Sequence, residues 1–520
     1  MTDLSLSLAG LIFLPAALGF VGCVFPRSTF PFSVLALLGF AGFAFDLVGS
    51  DVVYAFTLVG VGGIQFSIDA YTFPLVFGSS ITLLLSFGLF ADRFSHYFYQ
   101  ISLILFSALL ISFSTVDLVS LFIALELIGF SAFLLIADRN DTKSLFHAFQ
   151  YLIGGALAML IYLIGVIQAF TFTGNFLLAD LARAPDTALC LIIAGLLTKS
   201  GVFLCGLWVP NIYSHARCQS SAILSGCVTC AGIAPIARMS GALAPISNSM
   251  VVIGVISAVV AALYAVFERD RGRALGWSSV SQLGLAILSP TYACAYAMQH
   301  GICKALLFST LKPVASSDCN TVDSNGTDSM LSGVNESSDR WPQIVVDETF
   351  RVAMFVVASL SIMGLPFLSG FITKNWVKAD LPHEAKIIYT TTALLTSTVY
   401  ARLIFDRLSM FWRQFRMGLA GLVSVIGRDS LFGLLRPKNV ILVFSMLSLV
   451  LLGFSSYELY TPSTVQSALM SAILGAVLFV SVIGIQADQF VKPVTRTLDL
   501  VGAPFLVAAL LLANLLYLKI

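Results

Sequence analysis

Apolar stretches of roughly 20 residues recur along almost the whole chain, and they restrict its fold more than any other feature. A bilayer core needs segments of that length. Inside lipid every backbone polar group must be satisfied within the segment, so these stretches are expected to be helices. Composition agrees, since 58% of the residues are hydrophobic and 11% are charged, against about 25% charged in a soluble chain. Spanning helices are expected at roughly 5–24, 30–48, 72–92, 98–115, 116–137, 145–170, 187–208, 219–243, 248–267, 277–290, 292–312, 348–374, 384–407, 438–455, 463–485 and 499–518. The expected class is an all-α integral membrane protein of about 14–16 transmembrane helices. Residues 52–71 alternate in polarity and are rich in Gly and β-branched residues, which predicts a small β-hairpin between helices.

Loop charge follows the same count. Alternate connections carry Arg27, Arg93, Arg139, Arg217, Arg269 with Arg271 and Arg273, Arg340, Arg413 with Arg416, and Lys492 with Arg496. Arg183 and the Lys378/Lys386 region are the exceptions in the other loops. The positive-inside rule puts the basic loops on the cytoplasmic or matrix side and both termini opposite. Residues 4–24 have no basic stretch before them and no small-residue cleavage site after them, so they read as a spanning helix rather than a signal peptide. Residues 314–345 are rich in Ser, Asn and Asp and read as a flexible loop on the basic side. The sequons at Asn325 and Asn335 would matter only on a lumenal face. Residues 408–437 read as an interfacial segment.

Several classes of chemistry find no support. A net charge of +1 argues against nucleic acid as a partner. No dinucleotide-binding GxGxxG, no phosphate-binding GxxxxGK[ST] and no cysteine cluster for iron–sulfur is present, so no cofactor or metal is expected. The CxxC pair Cys227 and Cys230 lies inside an apolar helix without a second pair, where packing is the simpler reading.

Ionisable residues inside spanning helices are costly and usually functional. Glu126 is central in LVSLFIALELIGFSAFLLIA, and Lys199 is central in LCLIIAGLLTKSGVFLCGLW. Lys304 follows His300 by one helical turn in HGICKALLF, so the two share a face. Lys374 closes SIMGLPFLSGFITK. A buried acid and a buried amine each disfavour their own charge, and each favours the other's when they approach. Changing their separation therefore changes proton affinity, which is what a pump requires. The competing reading is a static ion pair that holds the bundle, with Lys374 snorkelling from a helix end and His300 a packed polar residue. Pro210, and Gly364 with Pro366, are expected to break helices beside these charges, as at many ion-translocating sites.

The run of motifs resembles the antiporter-like subunits shared by respiratory complex I and the multisubunit Mrp-type cation/proton antiporters. The matching region is about 60–410, with the Glu126 helix, GLLTKSGVFLCGLWVP, SSAILSGCVTCAGIAPIAR, RALGWSSVSQLG, HGICKALLF and GLPFLSGFITK in order. The resemblance implies two inverted five-helix repeats with broken helices. It divides the chain into 1–97 (helices 1–3), 98–245 (first repeat), 246–410 (second repeat, with the polar loop 314–345) and 411–520 (C-terminal helices). It also implies that Glu126 and Lys199 form a coupled pair, that Lys304 with His300 is a central relay, and that Lys374 faces the exit. The chain departs from the pattern at Cys230, where the family often has Lys, at Tyr213 in place of His, and at Gln150 in place of Lys.

The absence of a long segment between 485 and 499 argues against the largest complex I subunit. The run FQYLIGGALAMLIYLIG and Tyr213 favour the D-type component of the Mrp antiporters. The expected function is thus proton translocation within a multisubunit Na+/H+ antiporter. A proton-pumping subunit of NADH-quinone oxidoreductase is the alternative, and a scaffold or inorganic-carbon uptake subunit is a third reading. On any of these the chain is at most a translocase subunit without its own redox cofactor. The implied partners are other hydrophobic subunits, the lipid bilayer, protons and, in the antiporter reading, Na+. The implied location is a bacterial inner membrane, or the mitochondrial one.

Overall fold

The structure, a computed structural model, describes residues 3–47, 53–58, 64–89, 96–202, 206–311, 341–422, 437–454 and 457–482. The chain runs as α1 (Asp3–Val24), α2 (Pro26–Leu47), a two-stranded hairpin, α3 (Thr72–Leu89), α4 (His96–Ser114), α5 (Leu118–Ile136) and α6 (Thr142–Thr173). It continues with α7 (Asp186–Lys199), α8 (Trp208–His215), α9 (Cys218–Gly226), α10 (Ile233–Arg238), α11 (Ser247–Phe267), α12 (Arg271–Ile287) and α13 (Ala293–Thr310). The last described elements are α14 (Trp341–Met363), α15 (Ser369–Asp380), α16 (His383–Leu422), α17 (Pro437–Phe454) and α18 (Pro462–Val482). Among the described residues, eight helical spans are long and apolar enough to cross a membrane on length and composition alone. The protein is an all-α integral membrane protein.

The predicted hairpin is present. β1 (Tyr54–Thr57) pairs antiparallel with β2 (Gln65–Ile68), with Tyr54 opposite Ile68. Arg238 at the end of α10 anchors it, donating to Ser67 O at 3.0 Å and pairing with Asp69 at 2.8 Å. The same guanidinium reaches Thr72 Oγ1 at 2.7 Å and Phe113 O, tying the hairpin to α3 and α4.

Three expected spans are interrupted, two of them near the Gly and Pro residues expected to break them. The stretch 187–208 stops at Lys199, because Gly201 takes φ +70° and the chain resumes as α8 with Pro210 in its first turn. The stretch 219–243 tightens into a 3-10 turn at Val228–Cys230 between α9 and α10, with Gly232 and Pro235 close by. The stretch 348–374 breaks between α14 and α15, where Gly364 has φ +87° and Phe367 φ +69° on either side of Pro366. Two boundaries also differ from expectation. Residues 341–345, read as loop, are already helical, and α16, expected to end near 407, continues to Leu422. Regular backbone hydrogen bonding carries a helix past the apolar run that nominates it. Residues 314–340 and 423–436 and the expected helix 499–518 lie outside the described residues.

α13 is the central post, buried along nearly its whole length and packed against α3, α9, α12, α14 and α15. Lipid gives helices little hydrophobic reason to associate, so small residues and interhelical hydrogen bonds must hold them. At Gly301 an added Cβ would lie 2.5 Å from Gly226 O, which shows how closely α13 meets α9. α11 and α12 are joined by Ser257 Oγ to Val280 O at 3.0 Å and Ser281 Oγ to Ala258 O at 2.7 Å. α18 lies at the periphery, with few of its residues buried.

Candidate functional site

Glu126 and Lys199 meet. Lys199 is the last residue of α7, where its ammonium opposes the carbonyl end of the helix dipole, and its Nζ lies 3.4 Å from Glu126 Oε1. The break that follows is held by the Trp208 indole, which donates to Thr198 O at 3.2 Å and satisfies one of the orphaned helix-end carbonyls. Two glycines make the slot for the ammonium. A Cβ at Gly129 on α5 would lie 2.8 Å from Lys199 Nζ, and one at Gly155 on α6 would lie 3.2 Å from it. The Asp117 carboxylate fixes the start of α5 by accepting from Ser120 N at 2.7 Å.

Glu126 differs from expectation. Lys199 is buried at 6% exposure, but the Glu126 side chain is 36% exposed. Its neighbours along α5, Ile123, Leu127 and Phe130, are exposed as well. The side chain therefore straddles the edge of an outward apolar face, with the Oε1 that meets Lys199 itself buried.

His300, Lys304 and Lys374 gather around α13. His300 is fully buried, and its Nε2 has no hydrogen-bond partner among the described residues. It lies within electrostatic reach of both Lys304 and Lys374. Lys304 Nζ donates to Leu275 O on α12 at 2.7 Å and stands 5.6 Å from the centre of the Tyr400 ring. Lys374 Nζ reaches back across the α14–α15 break to Met363 O at 3.4 Å. Both Lys304 and Lys374 are thus held by backbone carbonyls, which stabilise a charged amine without fixing it in an ion pair. The carbonyl that Lys374 meets belongs to the last residue of α14, the negative end of that helix dipole. Hydroxyls and amides extend this region, with Ser278 Oγ 2.9 Å from Tyr400 Oη, Tyr296 Oη 2.5 Å from Gln282 Oε1, and Gln282 Nε2 3.1 Å from Thr396 Oγ1.

The structure thus forms two clusters, and no direct contact is seen between them among the described residues. Between them run the rings of Tyr151, Trp208, Tyr213 and Phe308, with centroids spaced 5.0, 6.5 and 5.4 Å. The Cys230 thiol packs against α13 there, 3.7 Å from Ala297 O. Gln150 accepts from His147 Nδ1 at 3.1 Å. Among the described residues no group of three or more His, Cys, Asp or Glu could hold a metal ion.

Three charged features escaped the sequence reading. Arg407, fully buried on α16, pairs with Glu348 on α14 at 2.7 Å. Arg238 pairs with Asp69 as described above. Both arginines lie inside or at the edge of expected spans, which was the available signal. The third is an ion pair outside the spans, Arg217 Nη2 to Asp138 Oδ2 at 2.6 Å. Partial burial raises the Asp138 pKa, but the Arg217 hydrogen bonds, the Asn140 N–H and the Arg217 charge outweigh it. They hold the carboxyl below its ordinary range.

Comparison with known proteins follows the same outline. The profile of the NADH:quinone oxidoreductase/Mrp antiporter transmembrane family matches residues 115–399. NADH-quinone oxidoreductase subunit N of Desulforudis audaxviator (strain MP104C) is 29% identical over 378 residues, covering 66% of this chain and 72% of that protein. Subunit N 2 of Rhizobium meliloti (strain 1021) is 26% identical over 321 residues, covering 58% of this chain and 65% of that protein. Among solved structures, a chain of the membrane-bound sulfane sulfur reductase, an archaeal respiratory membrane complex, superposes with TM-score 0.67 at 18% identity, covering 91% of this chain and 99% of that one. A chain of the Mrp complex from Dietzia sp. DQ12-45-1b gives 0.66 at 18%, covering 90% and 100%. A chain of respiratory complex I from Thermus thermophilus gives 0.63 at 19%, covering 86% and 97%. At these identities the structural likeness speaks to the fold alone.

Proposed function

Because the chain belongs to the transmembrane family shared by NADH:quinone oxidoreductases and Mrp antiporters, we propose that it is an antiporter-like, proton-translocating subunit of a multisubunit membrane complex. We read it as akin to subunit N of NADH-quinone oxidoreductase. Its sixth-helix run and Tyr213 suggested the D-type Mrp component, but the names of its curated relatives weigh toward subunit N. The Mrp likeness is one of fold, so sodium coupling is not part of this reading.

The observation that carries the proposal is the Glu126–Lys199 pair, 3.4 Å apart at a broken helix. An amine released from such a pair changes its proton affinity, and the break at Gly201 supplies a backbone hinge beside it. Protons would pass from this pair to the His300–Lys304 cluster and leave by Lys374. In this account the two broken helices, α7/α8 and α14/α15, occupy corresponding places in two repeats. The half-exposed Glu126 supports a neighbouring subunit on the α5 face, since a carboxylate is costly against acyl chains.

The test is to isolate the chain at native abundance with its bound subunits and reconstitute the assembly into vesicles. Co-isolated NADH–quinone reductase subunits and proton flux abolished by Lys199→Ala are the expected results. Antiporter subunits alone would redirect the reading to Mrp. Unchanged flux in the variant would leave a scaffold.

A further inference from the structure

The proposed path from Glu126 to Lys374 uses one of the five histidines in the chain. Two others face each other. His147 is buried near the start of α6, and His215, half-buried, ends α8. Their ring centroids are 4.4 Å apart with an interplanar angle of 36°. Chain segments far apart in sequence thus bring two imidazoles together at the end of the bundle that bears Arg139 and Arg217.

Their hydrogen bonds fix which nitrogen is basic. His215 Nδ1 lies 2.8 Å from Asn211 O, and a carbonyl can only accept, so this nitrogen carries a hydrogen. The Ser214 hydroxyl stands beside it at 3.0 Å. His147 Nδ1 lies 3.1 Å from Gln150 Oε1 and donates to it in the same way. Nε2 is then the proton-accepting atom of both rings. Two imidazolium charges at this separation would repel, so a proton on one ring opposes a proton on the other.

The pair is also aligned with the site already described. His147, Tyr151 and Gly155 fall at i, i+4 and i+8 on α6 and share one face. Gly155 is the residue whose missing side chain leaves room for Lys199 Nζ. Eight helical residues span about 12 Å, so the pair lies about two turns from that ammonium along the face Lys199 touches. Tyr151, between them, is within electrostatic reach of Glu126.

We infer that His147 and His215 form a proton-loading site that takes protons one at a time at the arginine-loop end of α6 and passes them toward Lys199. This rests on the proton-translocating reading and adds a residue pair to it. The titratable and charged groups at this end of the elements packed around the pair include Glu126, Asp138 and Arg139 on α5 and its loop, Asp141, Lys143 and Tyr151 at α6, Lys199 on α7, Tyr213 and Arg217 at α8, Cys218 at the start of α9, and Glu268, Asp270, Arg271 and Arg273 at the start of α12. Asp138 with Arg217 and Glu268 with Arg273 are ion pairs, so much of that charge is internally balanced.

A static alternative is that the rings only stack to fasten α6 to α8. Phenylalanine separates the two, because it keeps a ring and removes the proton-binding nitrogen. The experiment uses the intact assembly with isotope-labelled histidine, followed by NMR as pH is varied, together with proton uptake in vesicles. In the parent, two histidines are expected to titrate in two separated one-proton steps. In His215→Phe, His147 should titrate in one step that matches neither, and uptake should slow roughly 100-fold. Independent titration of the two in the parent, or unchanged uptake in both His147→Phe and His215→Phe, overturns the inference. Glu126→Gln keeps its failure apart from that of the translocating reading. If that variant takes up protons at the parent rate, the translocating reading falls, while two-step titration in the same sample still upholds the pair as a proton-binding site.

Discussion

Substitution of Gly129 tests the geometry of the ion pair without touching either charge. A Cβ at this position would stand 2.8 Å from Lys199 Nζ, about 0.7 Å inside an ordinary contact of about 3.5 Å. The ammonium is the free end of a flexible side chain and can retreat, so Gly129→Ala should fold. If the retreat lengthens the 3.4 Å separation from Glu126 to about 4.1 Å, Coulomb attraction at an effective dielectric of ~20 weakens by about 0.8 kcal/mol. At an effective dielectric of ~40 the change is half as large, so it falls at about 0.4–0.8 kcal/mol. The corresponding change in proton flux is roughly two- to fourfold. Gly129→Val needs more room on both sides and should cost more than tenfold, by about the 1.4 kcal/mol that a tenfold change represents. The assay is initial proton flux in reconstituted vesicles at matched assembly content. Gly42→Ala is the control, since a Cβ there meets nothing within 4 Å. The reasoning is refuted if Gly129→Val transports at the parent rate, or if Gly42→Ala loses as much as Gly129→Val.

Other consequences concern stability. Arg407→Met leaves Glu348 buried without its counter-charge and should cost about 3–5 kcal/mol, whereas Arg407→Met with Glu348→Leu should recover most of it; thermal melting in detergent reads both. Gly301→Ala drives a methyl toward Gly226 O and should cost about 1–3 kcal/mol by forcing α9 and α13 apart, again read by melting temperature. Arg217 holds the Asp138 carboxyl below its ordinary range, so the stability it contributes is present above about pH 4 and disappears as pH falls through the lower folded-state value. The melting difference between the parent and Arg217→Gln should therefore close on the acid side and persist at neutral pH. A difference that widens in acid would contradict this assignment.

Much of this organisation could be read from residue order, for identifiable reasons. The bilayer imposes segment length, so the helices announce themselves as apolar runs. Glu126, Lys199, Lys304 and Lys374 stand out because ionisable groups in such runs are costly. Alternation with Gly and β-branched residues marked the hairpin at 54–68. Other features depend on which face of a helix meets which neighbour, and residue order does not state that. Glu126 lies in a run as apolar as that of Lys199, yet its helix turns it to an outer face. Glu348 and Arg407 fell at the ends of expected spans, where charge is ordinary, and only packing of α14 on α16 buries them. His147 and His215 are distant in sequence, and each alone is unremarkable. The positive φ values at Gly201, Gly364 and Phe367 set the breaks beside which Lys199 ends α7 and Lys374 falls in the second turn of α15. The Gly and Pro residues indicated breaks, but not their positions relative to the lysines.

The central claim is that protons cross through α13. Lys304 is fully buried there, bonded to Leu275 O and facing the Tyr400 ring, and Lys304→Met preserves most of its volume. The decisive measurement is proton flux through the reconstituted assembly carrying this one substitution, at assembly content and melting temperature equal to the parent. Flux abolished in an intact complex is the predicted result; flux at the parent rate would contradict the account.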